Sequence, residues 1–200
     1  MRAAVLVPVK DFRQAKTRLS AVLAPSQRQE LARTMAALVF RAALPLPVFV
    51  VCDDDVVAAF AESHGATAIM RPGFGLNGAV SSAVDALADA DFDRVVVAHS
   101  DLPLAADLAA LAAWPGVTLV PDRRDDGTNV AVVPTRSGFT FAYGAASFRR
   151  HAAEAVRLGL SLRVVRQPRL GWDVDVPDDL DHPDLKGLLP SLPTSPASRP

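Results

Sequence analysis

The sequence predicts one α/β domain, in which helices cover both faces of a mostly parallel β-sheet. Apolar runs of strand length alternate along the chain with segments that carry apolar residues at helical spacing. The first run, AAVLVPV at residues 3–9, contains no polar residue, as expected of a strand buried on both faces of a sheet. No internal repeat or linker divides this pattern, so we expect a single domain over residues 1–186.

The individual elements follow from apolar spacing and from the residues that start and stop helices. The predicted strands span residues 3–9, 47–52, 67–70, 94–100, 117–122, 129–134 and 160–167. The predicted helices span residues 26–44, 54–65, 77–90, 107–114 and 147–159. Ser26 and Gln29 have the spacing of a capping box, which places the start of the first helix at Ser26. Acidic residues begin the second helix, and Gly65 is expected to end it.

Composition excludes several classes of function. The 200-residue chain is half hydrophobic with a formal net charge of −1, so we expect neither nucleic acid nor a membrane as a partner. No apolar run approaches the roughly 20 residues of a membrane span, and no charged leader precedes the first strand, which favours a cytoplasmic location. Cys52 is the single cysteine, which excludes an internal disulfide and a zinc ribbon. Residues 187–200 are rich in Pro and Ser and are expected to form a flexible tail.

Positive charge is concentrated in VPVKDFRQAKTRLS, residues 7–20, at the end of the first predicted strand. This segment holds Lys10, Lys16 and Arg18, although the whole chain has only three lysines against eighteen arginines. Ligands of open α/β sheets bind beyond the carboxyl ends of the strands. Because a lysine ammonium is a compact point charge, this loop favours a phosphate site. A solvated surface loop is the alternative.

Carboxylates follow two other predicted strands. Asp101 follows the strand at 94–100, and Asp173 and Asp175 alternate within DVDVP, so that both point to one side of an extended chain. Mg²⁺ is usually held by one or two carboxylates together with substrate phosphates, so we expect Mg²⁺ here. Asp101 or Asp173 could instead cap a helix or turn. His99, beside Asp101, is expected to be a hydrogen-bonded residue at the strand end.

DVDV also matches the DxDx[TV] motif of aspartate-nucleophile phosphatases of the haloacid dehalogenase type. That motif belongs at the end of the first strand, whereas this copy lies near the C-terminus. The position argues against a phosphatase.

Glycines at 73, 75 and 78 lead into the third predicted helix within RPGFGLNGA. Glycine permits positive φ and close approach of a ligand, and a helix N-terminus attracts anions. Asn77 could cap this helix or bind a nucleobase or ribose.

A second anion site is indicated by Thr128, after a glycine, and by Gly144 and Ser147, where the last helix begins. Arg149 and Arg150 lie in the first turn of that helix, a position that is unfavourable unless the arginines face an anion. Ser147 as a simple N-cap, with both arginines solvated, is the alternative.

Together these motifs resemble a known family. VPVKDFRQAKTRLS, GLNGA, SDLPL, PDRRDDGTN, YGAASFRRH and DVDVPDDL resemble, in this order over residues 5–181, the 2-phospho-L-lactate guanylyltransferase family. Its actinobacterial branch includes phosphoenolpyruvate guanylyltransferases of coenzyme F-420 biosynthesis. The resemblance implies a Rossmann-like, GT-A-like nucleotidyltransferase fold, a three-layer sandwich. It also implies transfer of GMP from GTP to phosphoenolpyruvate or 2-phospho-L-lactate, with release of pyrophosphate.

The resemblance also implies roles for individual residues. Those expected along the triphosphate are Lys10, Lys16 and Arg18, and those expected near the nucleoside are Gly75, Leu76 and Asn77. Those expected at the phosphorylated acceptor are Thr128, Gly144 and Ser147. Those expected to hold Mg²⁺ are Asp101 with Asp173 or Asp175. A downstream transferase that accepts the product is a further implied partner.

This chain departs from the family pattern at two places. The usual GPGSF is replaced by GAASF, so the acceptor loop has less backbone freedom at Ala146. The usual DTPEDL reads DVPDDL, which removes a hydroxyl at Val176.

The chemistry needs no general base, because a phosphate monoester with a second pKa near 6 is already mostly dianionic at pH 7. Accordingly, the sequence contains no convincing pair of nucleophile and base. Two alternatives remain. A nucleotidyltransferase acting on molybdopterin or a sugar phosphate would carry an LAGGxSxRMGxxK-type first loop, which this chain lacks. The intact Asp101, DVD and lysine-containing loop argue against a non-catalytic nucleotide-binding module.

Overall fold

The computed structural model describes residues 1–187, and a seven-stranded sheet forms its centre. The strands are β1 (Ala3–Pro8), β2 (Val48–Cys52), β3 (Thr67–Met70), β4 (Arg94–Ala98), β5 (Val117–Pro121), β6 (Thr128–Pro134) and β7 (Leu162–Val164). The helices are α1 (Pro25–Ala42), α2 (Asp55–Ser63), α3 (Gly75–Asp89), α4 (Leu108–Leu111) and α5 (Ser147–Arg157). Every predicted strand and helix is present, although α4 and β7 are shorter than predicted.

The sheet order is β3-β2-β1-β4-β6-β5-β7, and every neighbouring pair is parallel except those that include β6. The chain reverses its direction of travel across the sheet between β1 and β4, which makes their carboxyl ends the topological switch point. Because β6 runs antiparallel to β4, its first residues lie beside the carboxyl end of β4, where the His99 N–H donates to the Asn129 carbonyl at 3.0 Å. This brings Thr128 to the switch point.

Alternate residues of each central strand pack into different helical layers. Val5 and Val7 of β1 belong to a core cluster with residues of α1, α2 and α4. Ala4 and Leu6 belong to a second cluster with residues of α3 and α5. Since β1 is buried on both faces, its uninterrupted apolar sequence has a direct structural reason. The predicted three-layer sandwich is confirmed.

A third, smaller cluster holds the C-terminal segment against the basic loop. Leu19, from the short 3₁₀ turn Thr17–Leu19, packs with Met35, Leu104, Val174 and others. Leu185 is fully buried in the same cluster. The segment that carries DVDVP is therefore fixed beside the N-terminal loop by apolar contact.

The structure moves two predicted helix starts. Helix α1 begins at Pro25, and the Gln27 side chain accepts a hydrogen bond from Ala24 N at 2.8 Å, so the start predicted at Ser26 is wrong. Proline suits the first helical position because its φ is already helical and it lacks the N–H that would be unpaired there. Helix α3 begins at Gly75, so Asn77 is not its N-cap. Asp54 caps α2 as its acidic start suggests, and Gly65 follows its end with φ 76°.

Within residues 1–187, no helix is both long enough and apolar enough to cross a membrane. The predicted tail at 187–200 lies, apart from Gly187, outside the described residues.

Candidate active site

Three segments meet at the switch point: the basic loop, the residues after β4, and DVDVP. The ammonium nitrogen Nζ of Lys16 lies 2.6 Å from Asp101 Oδ2 and 3.8 Å from Asp175 Oδ1. The Lys16 side chain is only 9% exposed. Its backbone is left-handed at φ 54°, which costs a non-glycine residue about 1–2 kcal/mol. Strain of this kind is typical of residues held in place for function.

The DVDVP segment is tied directly to the strand end. Val174 N–H donates to the Asp101 carbonyl at 3.1 Å, and the Val174 side chain is fully buried. Asp173 and Asp175 therefore flank an anchored residue next to Asp101.

A buried carboxylate stabilises the far side of this segment. Asp179 is fully buried and accepts hydrogen bonds from Asp175 N at 2.7 Å and Val176 N at 2.8 Å. Arg123 forms an ion pair with it. Burial alone would raise the pKa of Asp179, but these partners outweigh it and lower that pKa. Because Asp179 already binds Val176 N, the turn remains supported although Val176 lacks the hydroxyl group of the family motif.

Asp101 and Asp173 each present an unused, buried oxygen. Neither Asp101 Oδ1 nor Asp173 Oδ1 has a hydrogen-bond partner among the described residues. Burial would raise the pKa of Asp101, but the Lys16 ammonium outweighs it and holds that pKa below its usual value. Burial, reinforced by the charge of Asp101, raises the pKa of Asp173 to about 6. The two carboxylates therefore repel each other, and a cation that contacts both would relieve this repulsion.

Asp175 differs from Asp173, because cations already neutralise it. Arg18 forms an ion pair with Asp175, and Lys16 is the nearby second cation. Arg18 is 68% exposed, so it is free to exchange this partner for a phosphate.

The donor set fits Mg²⁺. Two neighbouring carboxylates with unpartnered oxygens match the protein's share of a magnesium site completed by substrate phosphates. Within residues 1–187 no group of three or more His, Cys, Asp and Glu side chains is arranged to hold a metal alone. A metal here would therefore bind together with a phosphate-bearing ligand.

Two clefts meet at Lys10. The larger one, of about 310 Å³, is lined by residues that include Lys10, Asp53, Arg71, Gly75 and Leu76. The smaller, of about 190 Å³, is lined by Lys10, Lys16 and Asp101 among others. Lys10 is exposed and makes no ion pair within the described residues. A ligand with several phosphates can extend from the larger cleft past Lys10 to the carboxylates.

The three residues expected near a nucleoside have different surroundings. Gly75, at φ 62°, and Leu76, 46% exposed, line the larger cleft. Asn77 instead faces the loop before α5, where its Oδ1 accepts from Tyr143 N at 2.7 Å and its Nδ2 lies 3.4 Å from Tyr143 O. Its amide therefore connects α3 to that loop.

The residues expected at an acceptor are close together. Thr128 N–H donates to Ser147 Oγ at 3.0 Å. The two residues are 1% and 2% exposed, respectively. Gly144 lies three residues before Ser147 in an exposed loop, with φ 116°, where a side chain would be strained. Ser147 is the first residue of α5. The N-cap of this helix is Ala146, so Ser147 does not cap it.

The amides that begin α5 are not free for an anion, contrary to the prediction. Asp126 accepts from Ala146 N through its carboxylate at 3.1 Å and from Phe148 N through its carbonyl at 3.0 Å. Ser147 N donates to Gly144 O. Arg150 donates to Ala142 O at 2.8 Å. The backbone amides of Ala146, Ser147 and Phe148 therefore all have partners within the protein.

His99 also differs from expectation. Its Nε2 is buried with no hydrogen-bond partner in the described part of the chain. Its ring lies 4.9 Å from that of Tyr143, whose hydroxyl is likewise buried and unpartnered.

Sequence reasoning missed two residues that organise the site. Asp179 lies three residues after Val176, the spacing of a capping box, and this signal was available in DVPDDL. His151 lies four residues after Ser147 and therefore on the same face of α5. Its Nδ1 is 3.0 Å from Thr128 Oγ1.

Comparison with known proteins agrees with this geometry. Residues 3–187 match the model of a family described as "Guanylyl transferase CofC like". A phosphoenolpyruvate guanylyltransferase of Sphaerobacter thermophilus is 37% identical, over 95% of this chain and 95% of the relative. A 2-phospho-L-lactate guanylyltransferase of Methanothermobacter thermautotrophicus is 35% identical, over 94% of this chain and 86% of the relative. A 3-phospho-D-glycerate guanylyltransferase of Colwellia psychrerythraea is 31% identical, over 96% of this chain and 94% of the relative.

The fold is also found among solved structures. A crystal structure from Desulfovibrio desulfuricans, described as that of a "putative nucleotide-diphospho-sugar transferase", superposes on this chain with a TM-score of 0.71 at 17% identity. The match covers 94% of this chain and 97% of that one, so it supports the fold alone.

Proposed function

Because the chain belongs to the CofC-like guanylyltransferase family, we propose that it transfers GMP from GTP to the phosphate of a small phosphorylated acid. The nucleotidyltransferase class follows from the family, and the reaction belongs to coenzyme F-420 biosynthesis. The observation that carries the proposal is the buried group at the switch point. There, Lys16 contacts Asp101, and Asp101 and Asp173 each present an oxygen that has no hydrogen-bond partner within residues 1–187.

The triphosphate of GTP extends from the larger cleft to these carboxylates. Gly75 and Leu76 line the part that receives the nucleoside, and Lys10 lies where the two clefts meet. Lys16 and Arg18 exchange their carboxylate partners for phosphate oxygens, because a triphosphate carries more negative charge than a single aspartate.

Asp101 and Asp173 would hold Mg²⁺, with Asp175 nearby. The metal would supply charge neutralisation for the phosphates and stabilise the transition state of an in-line displacement. Lys16 lies between Asp101 and Asp175 in this structure, so its ammonium provides a positive charge beside the carboxylates when no nucleotide is bound.

A phosphate oxygen of the acceptor attacks the α-phosphorus of GTP, a new P–O bond forms, and pyrophosphate leaves. The acceptor dianion is already nucleophilic at pH 7, so no protein base removes a proton. The contribution of the protein is to bring two polyanions together in line, which the lysines and Arg18 favour by charge.

Thr128, Ser147 and Gly144 are the proposed acceptor residues. Since both residues are almost fully buried, the surrounding side chains or backbone must move for an acceptor to reach the two hydroxyl groups. The acceptor is phosphoenolpyruvate or 2-phospho-L-lactate, and the several relatives named for phosphoenolpyruvate favour the former. We expect the product to pass to a transferase in the cytoplasm.

The test is pyrophosphate release from Mg-GTP by purified protein with phosphoenolpyruvate, 2-phospho-L-lactate, 3-phosphoglycerate or no acceptor. We expect release with one acceptor, and a loss of at least about 100-fold in Asp101→Asn, because the charge that balances Lys16 and the metal is removed. Asp85→Asn, at an exposed carboxylate on α3, is the matched control and should be fully active. A chain that binds no Mg-GTP would contradict the proposal.

A further inference from the structure

His151 is fully buried on α5, one turn after Ser147, and both of its ring nitrogens have partners. Ala142 N–H points at Nε2 from 2.8 Å. A backbone N–H can only donate, so Nε2 must be the unprotonated nitrogen of the ring. The neutral imidazole therefore carries its hydrogen on Nδ1, which lies 3.0 Å from Thr128 Oγ1 and donates to it.

This fixed tautomer decides what the Thr128 hydroxyl can do. Because Thr128 Oγ1 accepts from His151, the hydroxyl hydrogen has to point elsewhere. Ser147 is in the same position, since its Oγ accepts from Thr128 N. Neither hydroxyl donates to any acceptor within residues 1–187. Two adjacent donor hydrogens thus remain for an oxygen supplied by a ligand.

We propose that His151 is a positioning residue for the acceptor, which orients the Thr128 hydroxyl as a donor to an anionic oxygen of the phosphorylated acid. This inference rests on the proposed function, since it assigns the acceptor to the site beside Thr128. His151 touches no substrate itself and acts through Thr128.

The surroundings of His151 keep the imidazole neutral, as the fixed tautomer requires. Burial lowers its pKa to about 4, and the positive charge of Arg150 adds to this, against an opposing effect of Glu154. The Tyr143 ring packs 4.9 Å away, edge to face. A cationic His151 would have two donors and would repel Ala142 N–H. The donor arrangement at Thr128 therefore holds at neutral pH.

The test compares steady-state constants for GTP and for the acceptor in His151 variants, with folding checked by circular dichroism and Tm. In His151→Phe we expect the KM for the acceptor to rise about 10- to 100-fold, corresponding to one or two lost hydrogen bonds. The KM for GTP should stay within about twofold, because Lys10, Gly75 and Leu76 lie outside the contacts of His151. His64→Phe, at an exposed histidine directly after the end of α2, is the matched control.

Two further variants separate positioning from packing. His151→Asn keeps an amide donor near the place of Nδ1 and should recover most of the acceptor KM. His151→Gln reaches the place of Nε2 instead and should recover less. In a Thr128→Val background, His151→Phe should add no further rise in acceptor KM, because the hydroxyl that His151 orients is gone.

The possible failures are distinguishable. Equal rises in the KM for GTP and the KM for the acceptor would show that His151 has only a structural role. Full additivity of His151→Phe and Thr128→Val in the acceptor KM would show the same. Either result would overturn the inference while the proposed function stands. An unchanged acceptor KM in a folded His151→Phe would do the same. If the unaltered enzyme releases no pyrophosphate with any acceptor, the proposed function fails and the role of His151 toward an acceptor fails with it.

Discussion

Ala146 occupies a left-handed conformation at φ 55°, where the related family motif has glycine. A Cβ in this region costs about 1–2 kcal/mol, and the loop tolerates it because Asp126 and the first turn of α5 fix the backbone. The sequence departure at this position therefore has a physical consequence: the loop proposed to hold the acceptor carries strain that a glycine would relieve.

We predict that Ala146→Gly raises the free energy of unfolding by about 0.5–1 kcal/mol, the net of relieved strain and the greater entropy of unfolded glycine. Urea denaturation would measure it. Ala153→Gly is the matched control, because Ala153 lies exposed within α5 at helical geometry. There the same change should destabilise by about 1 kcal/mol. Equal destabilisation in both variants would show that Ala146 is not strained.

His151 also predicts a pH dependence of stability. Its pKa is lowered from 6.5 to about 4 in the folded protein, so between these values the unfolded chain binds more protons. The stability from a neutral His151 is complete above pH 6.5 and is lost as the pH falls toward 4. Between pH 7 and pH 5, we expect the unaltered protein to lose about 2 kcal/mol more than His151→Asn. Parallel pH profiles in urea denaturation would contradict this.

Helix α3 and the loop before α5 belong to different halves of the chain, and the Asn77 amide joins them through Tyr143. Since Gly75 and Leu76 line the larger cleft at the start of the same helix, Asn77 would, in the proposed assignment, connect the nucleotide side of the site to the acceptor side. The motif GLNGA thus places two residues that line the cleft directly before one that holds the loop before α5.

We predict that Asn77→Ala raises the KM for the acceptor severalfold and lowers stability by about 1 kcal/mol, because Tyr143 N loses its acceptor. The KM for GTP should change by less than about twofold. Steady-state kinetics with either substrate varied would test it. A rise confined to the GTP constant would show that Asn77 binds the nucleoside, as the sequence pattern suggested.

At the scale of the whole molecule, the apolar pattern predicted every β-strand and α-helix within residues 1–187, because both faces of the sheet are covered and the central strands are buried throughout. It did not predict the short 3₁₀ helices. Local sequence did not predict that β6 is antiparallel, since strand direction depends on long-range pairing. That direction brings Thr128 to the site. The position of Asp126 over the start of α5, twenty residues along the chain from Ala146, was likewise not accessible from local spacing.

The sequence predicted those parts of the candidate site in which the residue type alone determines the chemistry. Lysines and aspartates at strand ends meet at one switch point because the topology makes the strand ends converge. What the pattern left open was the choice between Asp173 and Asp175. The structure distinguishes them by charge, because Arg18 and Lys16 neutralise Asp175, whereas Asp173 is buried beside Asp101 and its Oδ1 has no partner in the described part of the chain.

The most direct measurement is acceptor-dependent pyrophosphate release by Asp173→Asn and Asp175→Asn beside the unaltered enzyme. If Asp101 and Asp173 hold the metal on the GTP phosphates, Asp173→Asn loses at least about 100-fold in kcat, and Asp175→Asn loses about tenfold or less. Full activity in a folded Asp173→Asn, with the loss confined to Asp175→Asn, would contradict the account.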